Sequence, residues 1–138
     1  MAKDAIHDSI KTALTKDGWL ITAEFLQIEY EELEIFADIV AEQNPIVAEK
    51  GTKKIIVEVK TFAGRSFIRE LQQALGQYDL YREIISLAGL DFELYLAISS
   101  LIYESFFLRR GTHEVVQRRQ LKLLVVDVEH EEIIQWID

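Results

Sequence analysis

The sequence predicts an α/β (α+β) fold: a mixed sheet flanked by helices, built on an αβββαβ core and closed by a C-terminal β-hairpin. Three features predict it. After one amphipathic helix, two segments of alternating apolar residues lead straight to the apolar run "KKIIVEVKTF" with no helix between them, as in an antiparallel meander. A long helical stripe then separates that run from "FELYLAIS", as a crossover connection does. Finally, "LKLLVVDV" and "EIIQWI" are two short apolar runs joined by a polar "EHEE" turn.

Taken in order, residues 2–16 place Ile6, Ile10, Ala13 and Leu14 on one stripe, with Asp4, His7, Asp8 and Lys11 opposite, and Asp17-Gly18 supplies the stop. His7 on that polar face reads as a surface residue. Strand signals follow over Trp19 to Thr22 and Leu26 to Tyr30, with Glu31-Glu32 as the hairpin turn. The next strand, 33–41, alternates Leu33, Ile35, Ala37 and Ile39 against Phe36, Asp38 and Val40. Asn44-Pro45 and Lys50-Gly51 punctuate the route to the third strand, Lys53 to Phe62. Ser66 is the expected N-cap of a helix running to about Ser86, striped by Phe67, Leu71, Ala74, Leu75, Tyr78 and Ile85. The strand at 92–99 is followed by helical pieces at 101–110 and 112–120, divided by Gly111, and then by the terminal hairpin.

The 138 residues are 49% apolar, with one Pro and six Gly, and read as a single domain, 1–138, without a linker. No run is long enough to span a bilayer, and the charged N-terminus lacks the apolar core of a signal peptide, so a cytoplasmic protein is expected. Absence of Cys excludes disulfides, thiolate metal sites and a Cys nucleophile. Three scattered His have no metal-ligand spacing, and neither a Gly-rich phosphate loop nor a G-x-S-x-G elbow is present. The net charge of −9 disfavours a polyanionic partner on average. A local basic stripe, Arg109, Arg110, Arg118, Arg119 and Lys122, is the candidate DNA contact; its alternative is a solvated face.

Three charges sit inside apolar strands: Asp38, Glu58 and Lys60. Glu58 and Lys60 share a strand face by alternation, and Asp38 can converge on Glu58 if the two strands are neighbours. Two close carboxylates repel unless a cation lies between them, and hard oxygen donors suit Mg²⁺ or Mn²⁺. A Lys on that face could orient the water that attacks a phosphodiester. The spacing D-x₁₉-E-x-K is loose, and an Asp38–Lys60 or Glu58–Lys60 ion pair is the structural alternative. Gln77 and Tyr81, four apart in "ALGQYDLYR", share a face of the following helix.

This arrangement resembles the core of the PD-(D/E)XK nuclease superfamily, with its restriction-endonuclease-like fold, although Ala37-Asp38 stands where the motif has Pro-Asp. The resemblance implies that Asp38, Glu58 and the Val59 carbonyl hold the metal and that Lys60 serves the attacking water. It also implies that Gln77 and Tyr81, which resemble the downstream motif of the RecB-like branch, support the site, and that a helix-one acid, Asp4 or Asp8, could contribute.

Over almost the whole chain, the segments "AKDAIHDSIKTALTKDGW", "AEKGTKKIIVEVKTF", "ALGQYDLY", "VVQRRQLKLLVVD" and "EEIIQWI" resemble the XisH family, the fdxN element excision controlling factors. That resemblance implies a cyanobacterial setting, control of programmed excision of a DNA element during heterocyst differentiation, and a small XisI-like companion protein. Two functions follow as expectations: a metal-dependent DNA endonuclease, or a catalytically silent nuclease-fold module that works through a partner. A structural subunit that forms homo-oligomers is a third. It is suggested by "YESFFLRR", in which Phe106 and Phe107 are not expected to face one core from a short helix.

Overall fold

The computed structural model describes residues 5–43 and 52–138. Asp4, Asn44-Pro45 and Lys50-Gly51 therefore lie outside the described residues. Helix α1 (His7–Lys16) precedes strands β1 (Leu20–Tyr30), β2 (Leu33–Gln43) and β3 (Lys53–Val59). The long helix α2 (Phe67–Leu87) leads to β4 (Glu93–Ser99), a single turn α3 (Ser100–Ile102), a π-helical turn (Tyr103–Phe107) and α4 (Arg110–Arg118). Strands β5 (Leu123–Asp127) and β6 (Glu132–Ile137) end the chain. All six strands form one sheet in sequence order. The pairs β1–β2, β2–β3 and β5–β6 are antiparallel, while β3–β4 and β4–β5 are parallel. The two parallel pairs coincide with the two helical crossovers, the mixed sheet that the sequence order predicts.

Alternation sorts the central strands between two cores. Ile56, Leu94, Leu96, Ile98, Leu123 and Val125 pack with Leu71, Ala74, Tyr78 and Ile85 of α2. On the opposite face Ile55, Val57, Val59, Tyr95, Ala97 and Leu124 pack with Ile10, Ala13 and Leu14 of α1. Covered on both faces, β3 to β5 read as nearly continuous apolar runs, which is why Glu58 stands out within them. Tyr78 ties α2 to the sheet: its hydroxyl donates to the Leu94 carbonyl at 2.9 Å and accepts from the Lys122 amide at 3.3 Å. Tyr78→Phe leaves both backbone groups short of a partner and should lower the unfolding free energy by about 1–3 kcal/mol, read from denaturant titration.

Helix ends follow their expected chemistry. Gly18, at φ 87°, sits one residue past the cap of α1, where the Trp19 amide returns to the Leu14 carbonyl. The Ser66 hydroxyl accepts from the Arg69 amide at the start of α2.

Five expectations are corrected. β1 is one strand rather than two, with a register shift between Ile21 and Ala23. β3 ends at Val59, so Lys60 to Phe62 leave the sheet, and Phe62 has a left-handed φ of 56°. Gly111 lies inside α4; the helical break falls at Leu108 and Arg109 instead. His7 is buried, its Nε2 2.9 Å from Glu24 Oε1 and its ring stacked on Phe25 at 5.0 Å, because β1 runs beneath the supposed polar face of α1. Finally, the π-helical turn changes the angular step between residues. Phe107 is buried, and Phe106 packs against the same core, both in contact with Phe67.

Candidate active site

The paired-strand ladder between β2 and β3 runs from Gln43↔Lys53 to Ile39↔Val57 and stops there. One step on, side chains take over from backbone. The Asp38 amide donates to Glu58 Oε1 at 3.1 Å, and Asp38 Oδ2 accepts from the Val59 amide at 2.9 Å. Each acid thus caps a backbone group at the point where the strands part. The alternation of β2 also breaks here: Ile35, Ala37 and Val40 pack on the α2 side, but Ile39 and Ala41 pack on the α1 side. Across the hairpin, Phe25 falls between the pairs Glu24↔Ile39 and Leu26↔Ala37 and has a left-handed φ of 52°. One step past Ile39↔Val57, the strand register itself sets Asp38 opposite Glu58.

Glu58 is only 4% exposed, on the α2 face of the central sheet. Burial, and after it the negative charge of Asp38, pushes its carboxyl up to about 9. At neutral pH the two acids therefore share a single negative charge. Gln77 Nε2 of α2 donates to Glu58 Oε2 at 3.3 Å, so each Glu58 oxygen has a protein partner. Tyr81 lies one helical turn beyond. Burial, then the Glu58 charge, raises its hydroxyl above the usual range, while the Gln77 side chain and the Phe36 backbone act against that rise. A cavity of about 10 Å³, enough for one water-sized sphere, is lined by Glu58, Val59, Lys60, Ala74, Gln77, Tyr78 and Leu96.

The Glu58–Lys60 ion pair considered from sequence does not form. Because β3 ends at Val59, Lys60 swings to α2, where Nζ lies 3.1 Å from Glu70 Oε2. Its amide still donates to the Ala97 carbonyl, which keeps the backbone beside β4. Glu70 was not singled out from sequence, since an acid in the first turn of a helix reads as ordinary dipole complementarity. Its carboxylate packs so closely on Gly64 that a Cβ there would meet Oε1 at 2.2 Å.

The remaining candidates are dispersed. Asp8 lies with His7 and Glu24, its carboxylate near theirs, on α1, which packs on the other face of the sheet from Glu58 and α2. The basic stripe divides along α4. Arg109 lies over the Phe106 ring at 5.0 Å and Arg110 pairs with Glu114 at one end, whereas Arg118 and Arg119 are at the other, with Arg119 paired to Asp79. Lys122 lies beyond them, 3.8 Å from Glu93.

A mixed sheet that parts at its second and third strands, with a buried carboxyl, a half-buried one and a helical Gln at the parting, defines an α+β protein with a paired-acid centre. Residues 1–134 match the family described as XisH protein, and the chain belongs to the XisH family. It is similar to an XisH family protein from Nostoc punctiforme PCC 73102 (38% identity, TM-score 0.87), over 98% of this chain and all of that one. It is equally similar to an fdxN element excision controlling factor protein from Anabaena variabilis (40% identity, TM-score 0.87), over 99% of this chain and all of that one. No curated protein matches. Among the described residues, no helix is long and apolar enough to cross a membrane.

Proposed function

We propose that this chain is a Mg²⁺- or Mn²⁺-dependent DNA endonuclease of the PD-(D/E)XK kind, acting in the control of programmed excision of a DNA element. The observation that carries this reading is the Asp38–Glu58 pair, two neighbouring acids of which Glu58 is pushed, by burial first and the Asp38 charge second, to hold its proton. A strand end can be capped with one acid or with neutral groups; a second buried carboxyl is destabilising unless a cation replaces the proton. The donor set fits a hard cation, with Asp38, Glu58 and the Val59 carbonyl as its holders and a small cavity beside them. Once bound, such a cation stabilises the charge that builds on the phosphate during hydrolysis.

The side chains around the pair have separate tasks. Gln77 fixes Glu58 through Oε2, and Tyr81 backs Gln77. Lys60, anchored by Glu70, orients the attacking water. The similarity to the fdxN element excision controlling factor protein from Anabaena variabilis supports the excision setting. The test is cleavage of DNA by the purified chain, alone and with an XisI-like companion, in Mg²⁺, Mn²⁺ or EDTA. Metal-dependent cutting is expected, and no cutting in any combination overturns the enzymatic reading.

A net charge of −9 and the engagement of Lys60 by Glu70 favour a second reading. In it the chain is a catalytically silent regulatory module acting through the XisI-like partner, and Glu58→Ala leaves excision in vivo intact.

A further inference from the structure

Strands β3 and β4 are parallel neighbours, so the segments after them leave the sheet at the same end as the paired acids. These segments carry an aromatic stack. Phe67 lies face to face with Phe106 at 4.4 Å and 7°, and Arg109 covers Phe106 at 5.0 Å. Phe62 extends the cluster toward the site, 5.6 Å from Phe67 and under Lys60 Nζ at 6.0 Å. The two segments that carry this stack also expose large apolar side chains: Ile68 is 61% exposed, Leu101 71% and Leu108 58%. Against one exposed acid, Glu104, the same two segments carry four exposed cations, Arg65, Arg69, Arg109 and Arg110. Of these four, only Arg110 forms an ion pair among the described residues.

Intact duplex DNA offers a protein its phosphates and groove edges, for which large exposed aliphatic side chains have little use. Unpaired nucleotides present base faces as well as phosphates, and they bind where aromatic rings, guanidinium planes and apolar surface alternate with cations. We infer that this face binds unpaired bases, so that the DNA acted on at the Asp38–Glu58 centre contains a single-stranded or distorted segment. This rests on the reading of DNA as substrate, but not on cleavage.

The test is fluorescence anisotropy of the full chain in EDTA with three oligonucleotides: a single strand, a matched duplex and the same duplex with a short unpaired bubble. Single-stranded and bubble DNA should bind roughly tenfold tighter than the duplex, the scale of one stacked base. Leu101→Ser, at an exposed position, should remove most of that preference while leaving duplex binding and Tm unchanged, whereas Arg109→Ala should reduce the preference and also weaken binding to all three probes. Equal affinity for all three probes overturns the inference, even in a chain that cuts duplex DNA. So does a preference that both variants retain, or a Leu101→Ser effect seen only as a change in the chain's own oligomeric mass by light scattering. The preference in EDTA, together with no cutting in the Mg²⁺ and Mn²⁺ cleavage assay, upholds this inference and sinks the nuclease reading.

Discussion

Asp38→Asn and Glu58→Gln should each lower metal-dependent DNA cleavage at least about a thousandfold, a loss of roughly 4 kcal/mol of transition-state stabilisation. In the proposed site either change removes one of the two carboxylates that would neutralise and fix a cation, and no third acid is bonded to Glu58 among the described residues. Gln77→Ala removes only the group that orients Glu58, so its effect belongs to the roughly 10–100-fold class of supporting residues. Initial rates on a labelled oligonucleotide, with protein in excess, check the order of these effects. Equal small losses for all three variants would mean that the acids are structural.

The second large effect runs in the opposite direction. In EDTA at pH 8, Glu58→Gln should stabilise the fold by a few kcal/mol. The Glu58 carboxyl titrates at about 9 in the folded chain, against an ordinary value of 4.5. A raised folded value means that the native state holds a proton the unfolded state gives up. The stabilising contribution is therefore complete below about pH 4.5, declines between pH 4.5 and 9, and is lost once the pH passes through the folded value. The slope of that decline is about 1.4 kcal/mol per pH unit. Gln reproduces the protonated acid: its carbonyl can accept from the Asp38 amide while its NH₂ faces Asp38, and the Gln77 amide can rotate to match. The two proteins should be similar near pH 4.5 and diverge as pH rises, measured by urea denaturation across that range. Mn²⁺ should narrow the gap by stabilising the wild type alone. Parallel pH curves would contradict a buried, protonated Glu58.

Much of this was legible in the residues. Asp38 and Glu58 were visible because a charge inside an apolar strand run requires a partner, and the meander made them neighbours. Helical spacing put Gln77 and Tyr81 on one face, but only the resemblance to the RecB-like motif set them apart from an ordinary amphipathic helix. The surroundings were not legible, because they depend on backbone events without a local signature. Lys60 reaches Glu70 because β3 stops at Val59 and Phe62 turns left-handed, yet the sequence continues its alternation through Phe62. His7 is buried because Glu24 and Phe25 rise from β1 to meet it, a contact that no helical wheel contains. Phe106 and Phe107 share Phe67 because the turn between them is π-helical, and periodicity assumes an α-helical step. Of the apolar and cationic residues after β3 and β4, the sequence signalled those in "YESFFLRR", including Arg109 and Arg110, but not Arg65, Ile68 and Arg69, whose segment is brought alongside by the parallel pairing of β3 and β4 rather than by a local pattern.

A crystal of the protein soaked in Mn²⁺ and measured at the manganese absorption edge addresses the central claim most directly. The account predicts an anomalous peak between Asp38 and Glu58 within oxygen-ligand distance of both, with the Glu58 carboxyl turned from the Asp38 amide toward the ion. A map without a peak there, with the two acids still exchanging hydrogen bonds with the Asp38 and Val59 amides, would contradict it.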